Sequence, residues 1–331
     1  MNGRIVAASA MLIGLGIMPV RLASADETKT TEIESPFSLT TDQDFRDPFY
    51  AGSEKIDFGG GRADGCPCHE PRKTLFRWKD GANSGGPPGP DEPLVTDRPD
   101  FTEASVTVGR GVAQLEFGYT YVFDDDGDES FKAHSVGEPL LRLGMLAEWL
   151  ELRLAWTYLE ETTSAPGERQ LLIGSSDLLL GLKIALTPQE GILPEMALIP
   201  QILLPTGTSE LSANEVLPGL NWLYSWQLSE RLSFGGSTQG NGVLDDATGK
   251  GYLEIAQSLT TGLSFTERLG MYAEWFAFFP HNANTARPRH FFNSGLTFLL
   301  SNDVQFDIRA GLGLNDAADD FFSGTGLSIR F

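Results

Sequence analysis

Charged side chains at every second position of otherwise apolar stretches are the residues of this sequence that could do chemistry. In residues 304–312, apolar positions alternate with Gln305, Asp307 and Arg309. Because successive side chains of a β-strand point to opposite faces, the charges of such stretches share one face. Ten charges are predicted on this face: Glu116, Arg142, Glu151, Arg153, Lys183, Glu254, Glu274, Asp307, Arg309 and Arg330. Five are acidic and five basic, a mixture that suits contact with water, ions or small polar solutes.

A second candidate for chemistry is the motif Cys66-Pro67-Cys68-His69. Thiolate metal sites usually place two residues between their cysteines, and c-type haem attachment uses the pattern Cys-x-x-Cys-His. A single residue between the two sulfurs is the wrong spacing for either site. The motif is therefore interpreted as a local disulfide or as two free thiols. Neither a metal nor a cofactor is predicted for the chain.

Twelve segments with a two-residue period follow one another from residue 112 to the C-terminus. A helix would distribute their charges around its whole circumference, so the period favours strands. The predicted strands are 112–123, 133–147, 149–160, 174–187, 194–206, 215–228, 231–240, 252–266, 268–280, 289–300, 303–313 and 321–331. Short turns alternate with longer connections, which are predicted at 124–132, 161–173, 207–214, 241–251, 281–288 and 314–320.

This pattern predicts an all-β fold, a closed antiparallel transmembrane β-barrel of about twelve strands. In a lipid bilayer every backbone polar group needs an internal partner, so a sheet that crosses it must close on itself. Short turns on one side and long loops on the other are typical of outer-membrane barrels. The even strand number places both barrel ends on the periplasmic side. The last strand ends in Phe331, which resembles the C-terminal signal of Gram-negative outer-membrane proteins.

The N-terminal part of the chain has a different character. Arg4, an apolar run over 5–20 and small residues up to Ala25 have the pattern of a secretory signal peptide that is cleaved near Ala25. Residues 26–94 are rich in acidic residues, Gly and Pro, so they are predicted to form a disordered periplasmic leader. The barrel is assigned to 95–331. With 45 acidic and 24 basic residues, the chain has a net charge of −21, which excludes nucleic-acid binding.

Once the barrel closes, one face of its wall meets lipid and the other faces the barrel interior. The apolar face meets lipid, and the ten charges face the interior. Aromatic residues are expected to form girdles on the outer face: Trp149, Trp156, Tyr158, Trp222, Tyr224, Trp226 and Trp275. The interior charges have two interpretations. They line a path for solutes, or they form ion pairs that fill and brace a narrow barrel.

Residues 96–103, Thr-Asp-Arg-Pro-Asp-Phe-Thr-Glu, open a set of motifs that runs through the barrel region. The others are Gly111, Gln114-Leu115-Glu116, Gly118, Glu138-Pro139, Leu141-Arg142-Leu143-Gly144, Glu151-Leu152-Arg153, Asp177, Gly181-Leu182-Lys183 and Leu204-Pro205-Thr206-Gly207. From about residue 95 onward the chain resembles the MetA-pathway of phenol degradation family, whose members are outer-membrane barrels classed as transporters. The resemblance implies transport of small solutes, aromatic or other small organic compounds among them.

The leading prediction is an outer-membrane channel or transporter for small solutes in a Gram-negative-type cell, and not an enzyme. One alternative is an outer-membrane hydrolase of the phospholipase type, which needs a Ser nucleophile within reach of a His base. The barrel region offers His134, His281 and His290, but Ser294 near His290 is expected to face lipid. Another alternative is a structural barrel whose leader is a periplasmic interaction arm. The predicted partners are outer-membrane lipid, lipopolysaccharide, the barrel-assembly machinery and a small-molecule solute.

Overall fold

The structure is a computed structural model that describes residues 72–78, 85–245 and 248–331. The predicted signal peptide, its cleavage site near Ala25, most of the predicted leader and the motif at Cys66 and Cys68 lie outside the described residues. Within the described part of the chain, no helix is long and apolar enough to cross a membrane.

Fourteen strands form one antiparallel sheet in the described residues. They are β1 (Ala113–Asp125), β2 (Ser130–Gly144), β3 (Leu150–Ala155), β4 (Tyr158–Ala165), β5 (Glu168–Ser175), β6 (Leu178–Thr187), β7 (Glu195–Leu204), β8 (Leu217–Gln227), β9 (Leu232–Leu244), β10 (Gly251–Ser264), β11 (Leu269–His281), β12 (Arg289–Ser301), β13 (Val304–Gly313) and β14 (Phe321–Arg330). The first strand pairs with both the second and the last, so the sheet closes into a barrel.

The fourteen strands make twelve crossings of the barrel wall, because two crossings are interrupted. Along β2, residues 140–144 pair with β3 and residues 130–136 pair with β4, so β3 and β4 are two parts of one crossing. In the same way β5 and β6 pair with β4 and β3. At the interruption, the backbone N–H of Thr157 donates to Ser176 Oγ at 2.9 Å. The predicted closed barrel of twelve strands is confirmed.

One predicted connection is wrong. Residues 161–173 were expected to be a loop, but β4 and β5 continue through them and form a hairpin. The two strands are joined by Pro166 and Gly167, with Gly167 at a φ of +84°. Pro followed by Gly is a standard turn sequence, because Pro sets the first turn residue and Gly accepts a positive φ at the second. That local signal is present in the sequence, but the polar composition around it obscures the strands.

The outer face of the wall is apolar and the inner face is polar, which is the reverse of a water-soluble barrel. In β13, Phe306 and Ile308 are 37% and 39% exposed, whereas the Asp307 between them is fully buried. Three aromatic residues predicted for the outer face, Trp156, Tyr158 and Trp222, are exposed as well. An apolar outer face and a polar inner face are what a lipid environment requires of a membrane-spanning barrel.

Two buried aspartates hold the loops at the long-loop end. Asp177, just before β6, accepts hydrogen bonds from the backbone N–H groups of Gly207 and Ala213, both at 2.9 Å. Asp245, just after β9, accepts one at 2.9 Å from the backbone N–H of Thr285 in the β11–β12 loop. The β7–β8 loop is thereby attached to the wall, and the β9–β10 and β11–β12 loops are attached to each other.

Candidate functional site

A stretch of chain immediately before β1 lies inside the barrel. Residues 94–108, called the inner segment below, bond to inward-facing groups on strands around the whole circumference. These partners include Glu116 (β1), Glu138 (β2), Arg153 (β3), Lys183 (β6), Asn221 (β8), Ser258 (β10), Glu274 (β11), Arg309 (β13) and Thr325 (β14). A segment this short can reach all these strands only from the interior.

The inner segment enters and leaves at the same end of the barrel. At its start, the backbone N–H of Leu94 donates to the carbonyl of Asn302 in the β12–β13 turn at 2.7 Å. Near its end, Thr107 Oγ1 donates to the carbonyl of Glu148 in the β2–β3 turn at 2.5 Å. Both turns belong to the short-turn end. The segment therefore runs inward, reverses near Phe101 and returns to the rim where β1 begins.

The first half of the inner segment is held by charges. The Asp97 carboxylate lies 2.6 Å from Lys183 Nζ and 3.4 Å from Arg142 Nε, and it also pairs with Arg153. Lys183 Nζ donates in addition to the carbonyl of Ala104 at 2.8 Å. One carboxylate of the inner segment is thus shared by three cations on β2, β3 and β6.

Further carboxylates complete this ionic group. Glu116 Oε2 accepts the backbone N–H groups of Asp97 and Arg98, each at 3.0 Å. Glu151 accepts from Arg142 Nε at 2.8 Å and from the backbone N–H of Val108 at 2.9 Å. We call the set the ionic anchor: Asp97, Glu103, Glu116, Arg142, Glu151, Arg153 and Lys183. Taking charges out of water is unfavourable unless each is paired and hydrogen-bonded, so these partners depend on one another.

Arg98 lies against the seam where β1 and β14 close the barrel. Its Nη1 donates to Glu138 on β2 at 2.7 Å, its Nη2 donates to the carbonyl of Thr325 on β14 at 3.1 Å, and its Nε lies 3.5 Å from Asp307 on β13. The guanidinium occupies space left by Gly118 of β1, where a Cβ atom would lie 2.5 Å from Nη2. A larger residue at this position of the seam would displace the arginine.

The reversal of the inner segment is held by aromatic rings. Phe101 stacks on Phe276 with ring centroids 4.8 Å apart and planes 12° apart, and it meets the edge of Phe278 at 5.4 Å and 84°. Phe276 in turn stacks on Phe291 at 5.0 Å. We call these four rings the aromatic anchor. They belong to a larger buried apolar cluster that also contains Val122, Phe131, Ala133, Ala256, Ala318 and Phe322.

Beside these rings, one carboxylate holds the backbone of the reversal. Glu274 accepts the backbone N–H groups of Phe101 and Thr102 at 2.7 Å each and the Thr102 hydroxyl at 2.6 Å. Asn293 Nδ2 donates to the same carboxylate at 3.2 Å, and Thr102 Oγ1 lies 2.6 Å from Ser258 Oγ. All four donors to Glu274 in this network are uncharged.

The ten charged residues predicted for the interior face are all at most 9% exposed. Eight of them contact the inner segment: Glu116, Arg142, Glu151, Arg153, Lys183, Glu274, Asp307 and Arg309. Arg330 instead donates to the carbonyl of Glu92 at 2.8 Å, and Glu254 pairs with Arg289 at 3.2 Å. Their contact with a solute stays a prediction. In this structure their partners are protein groups, as in the bracing interpretation.

The described part of the predicted leader also bonds to the barrel. The backbone N–H groups of Leu75 and Phe76 donate to the carbonyls of Ala185 and Leu186 at 2.8 and 2.7 Å. The backbone N–H of Gly86 donates to the Glu195 carboxylate at 2.7 Å. These contacts lie at the ends of β6 and β7 on the short-turn side, where the inner segment enters.

Sequence reasoning missed the role of Asp97, Arg98, Phe101, Thr102 and Glu103. They belong to the motif at 96–103, but without a two-residue period no wall face could be assigned to them. One signal was available. A barrel interior with ten charges needs partners for them, and this charged motif lies less than ten residues before the first strand.

A family model described as the MetA-pathway of phenol degradation matches residues 96–331. The crystal structure of an outer membrane channel from Pseudomonas putida F1 matches with a TM-score of 0.56 at 14% identity, covering 74% of this chain and 99% of that one. The translocator domain of the autotransporter NalP from Neisseria meningitidis reaches a TM-score of 0.46 at 13% identity, covering 67% and 89%. No curated protein sequence matches. The Pseudomonas match shows a shared barrel fold, and the matched family region includes most of the inner segment.

Proposed function

Because this chain belongs to the MetA-pathway of phenol degradation family, we propose that it is a channel for small solutes in the outer membrane of a Gram-negative-type cell. The observation that carries the proposal is the two-faced wall, apolar outside and charged inside. Such a wall is stable in lipid and presents polar groups to whatever crosses it. The similar barrel from Pseudomonas putida is described as an outer membrane channel. Lipopolysaccharide and the barrel-assembly machinery are the further partners of this proposal.

The inner segment is the gate of the proposed channel. Eight interior charges contact it, so a solute that uses these charges requires the segment to move away from them. The ionic anchor opposes this movement, because Asp97 leaves three cations without their shared carboxylate when it withdraws. Water or a polar solute that enters the interior as the segment leaves replaces these lost partners. We therefore expect the gate to open more readily when water or a polar solute takes the place of the segment than when these charges are left without partners.

The hydrolase alternative has little support from the geometry. Ser294 Oγ donates to the backbone carbonyl of Tyr272 at 2.6 Å. The His290 ring lies against Trp275 and Phe279, with centroids 5.9 and 5.5 Å away. A nucleophilic serine needs a base in hydrogen-bond reach, and these contacts direct the two side chains to other partners. We therefore propose a channel rather than an enzyme.

A reversible cross-link tests both the channel and its gate. Ser105 Oγ of the inner segment lies 2.8 Å from Ser225 Oγ of β8, so cysteines at these positions can form a disulfide. The double variant Ser105→Cys/Ser225→Cys is made with Cys66 and Cys68 replaced by Ser, purified as the folded full chain and placed in liposomes. Uptake of a small sugar and a small organic acid is then measured before and after reduction.

The proposal expects uptake at least ten-fold faster after reduction than in the oxidised form. The single variant Ser225→Cys, which cannot close the cross-link, is the matched control and should respond to neither treatment. Equal uptake in the oxidised and reduced forms would show that the inner segment is a fixed lining, which overturns the gate and keeps the channel. A folded barrel without uptake in either form would overturn the channel itself.

A further inference from the structure

Two carboxylates of the interior, Asp100 and Glu274, form no ion pair within the part of the chain that the structure describes. Glu274 accepts hydrogen bonds from the backbone N–H groups of Phe101 and Thr102, from the Thr102 hydroxyl and from the Asn293 amide. Asp100 Oδ2 accepts the Thr260 hydroxyl at 3.2 Å. All these donors are uncharged. The carboxylates of the ionic anchor, by contrast, each pair with an arginine or a lysine.

The two carboxylates belong to one row of polar groups. In the strand register Thr260 of β10 pairs with Glu274 of β11, and Glu274 pairs with Asn293 of β12. Side chains at such paired positions are about 5 Å apart. Asp100 bonds to the Thr260 end of the row, and the N–H of the next residue, Phe101, donates to Glu274. We call Asp100, Thr260, Glu274 and Asn293 the carboxylate row.

The carboxylate row also contains an acceptor that no described group uses. Asn293 is fully buried, and its side chain points along the row, because its Nδ2 donates to Glu274 at 3.2 Å. Its Oδ1 has no hydrogen-bond partner among the described residues. A buried oxygen without a donor is unfavourable, and so are two neighbouring carboxylates without a cation. The row thus lacks both a positive charge and a hydrogen-bond donor.

The wall between the row and the short-turn end carries small side chains. Cβ atoms added at Gly262 and Gly270 would lie 2.5 Å from Ser233 Oγ and 2.7 Å from Thr297 Oγ1, so these four residues share the inner face. All four are partly exposed, as is Asp100 itself, whereas the charges of the ionic anchor are buried. Water therefore reaches the interior more readily along β9–β12 than beside the ionic anchor.

A primary ammonium ion supplies what the carboxylate row lacks. It carries one positive charge and three N–H donors, and hydrogen bonds from a cation to a carboxylate are stronger than those between neutral groups. A metal ion fits less well, because the described residues contain no group of three or more His, Cys, Asp or Glu side chains that could hold one. An anion would be repelled, and a neutral solute would leave both negative charges uncompensated.

We propose that the carboxylate row binds small primary ammonium ions, which reach it from the short-turn end of the barrel. The inference rests on the proposed function, since it names a class of solute for the channel. The bound ion pairs with Asp100 and Glu274 and leaves the ion pairs of the ionic anchor in place. The site and the strongest part of the gate are therefore on different sides of the interior.

Saturation-transfer NMR on the folded full chain in a non-ionic detergent tests the proposal. The titrations are made at pH 8, where a proton competes least, and at constant ionic strength set by potassium chloride. Propylammonium is the probe. Tetramethylammonium keeps the charge without an N–H donor, and 1-propanol keeps the size and a donor without the charge. We expect saturable binding of propylammonium, with either control binding at least five-fold more weakly.

A matched pair of variants locates the site. Asp100→Asn keeps the size of the side chain and removes one negative charge, so the Kd of propylammonium should rise at least five-fold. Asp126→Asn removes the same charge from the exposed β1–β2 loop and should leave that Kd unchanged. If Asp100→Asn does not fold, the comparison of the three probes on the unmodified chain still decides the question.

Two results would overturn the inference. Equal binding of propylammonium and tetramethylammonium would mean general attraction of cations to an acidic protein. Absence of saturable propylammonium binding at pH 8 would mean that the two carboxylates are stabilised by a shared proton instead. Both results leave the cross-link experiment unaffected, so the channel can stand without this site. Saturable binding without propylammonium uptake in either cross-link state would keep the site and overturn the channel.

Discussion

The ionic anchor and the aromatic anchor hold the same short segment by different forces, although Asp97 and Phe101 are only four positions apart. The ionic anchor joins charges on β1, β2, β3 and β6, and each of its groups has several partners. The aromatic anchor joins rings on β11 and β12, and their contacts are apolar. One side of the barrel interior therefore holds the segment through a network of ion pairs, and the other side holds it through packed aromatic rings.

The difference indicates which part of the inner segment is held more strongly. A buried charge that loses its partner pays a large desolvation penalty, so an ionic network resists partial disruption. A buried ring that leaves loses area in proportion to its size, and another ring can restore that area. The contacts of the aromatic anchor are accordingly the easier of the two sets to exchange, and the ionic anchor is the larger barrier to withdrawal of the inner segment.

The largest effect is expected at the centre of the ionic anchor. Asp97→Asn keeps the size of the side chain and removes the charge that Lys183 and Arg142 share. We expect the free energy of unfolding to fall by about 3–5 kcal/mol, the range for breaking a buried ion pair. Denaturant unfolding of the folded barrel measures the change. The double variant Asp97→Asn/Lys183→Met should recover part of the loss, and a loss below about 1 kcal/mol for Asp97→Asn would contradict the network.

The next effect is expected at the barrel seam between the two anchors. In Gly118→Ala the added methyl group would lie 2.5 Å from Arg98 Nη2 and 2.6 Å from the carbonyl oxygen of Thr325, so both the guanidinium and the β1–β14 seam must shift. Overpacking of this kind destabilises by about 1–3 kcal/mol. Gly251→Ala is the control, because nothing lies within 4 Å of the added Cβ atom and its φ is not in the left-handed region. Equal unfolding curves for both variants would mean that Arg98 and the seam backbone at Thr325 accommodate the methyl group without loss.

A pH effect is expected at the loop over the aromatic anchor and not at the ionic anchor. Burial raises the pKa of Asp319 in the β13–β14 loop to about 7, with Asp124 and Asp320 adding repulsion and Arg289 opposing the shift. The closed loop thus binds a proton that the open loop releases above its ordinary pKa near 3.8. The closed loop therefore loses stability as the pH rises from about 4 to about 7, by about 2 kcal/mol between pH 5 and pH 7.

Hydrogen exchange of residues 314–320, corrected for its intrinsic pH dependence, measures this opening. It should be faster at pH 8 than at pH 5, and Asp319→Asn should remove the difference. Exchange at Ala104 and Val108, whose amides bond to Asp97 and Glu151, is the internal comparison and should not follow the same titration. A shared titration of both regions would contradict the separation of the two anchors.

The smallest effect is expected at the ring that the aromatic anchor holds. Phe101→Leu keeps an apolar side chain of similar volume, so it should cost less than about 1.5 kcal/mol of unfolding free energy. Phe292→Leu on the outer face is the matched control for the same substitution. If Phe101→Leu destabilised the barrel as strongly as Asp97→Asn, the two anchors would hold the segment equally strongly. The contacts of the aromatic anchor would then not be the easier set to exchange.

The sequence by itself determined the wall of the barrel. The two-residue period is local, because the pleat of a strand alone decides which side chains share a face. From it follow the twelve crossings, the closure and the buried side of charges such as Arg142 and Asp307. Where the period was masked by polar residues, as at the hairpin around Gly167, the prediction was wrong.

Only the tertiary structure decided what lies inside that wall. Arg98 bonds to groups 40 and 227 residues away along the chain, and Thr102 to a carboxylate 172 residues away. No local period records such pairings, because they exist only once the sheet has closed and brought distant strands around one interior. The motif at 96–103 would have the same sequence if it lay in a leader outside the barrel. Closure of the sheet buries the interior charges and rings. Because buried charges need partners, they bind the inner segment inside the barrel.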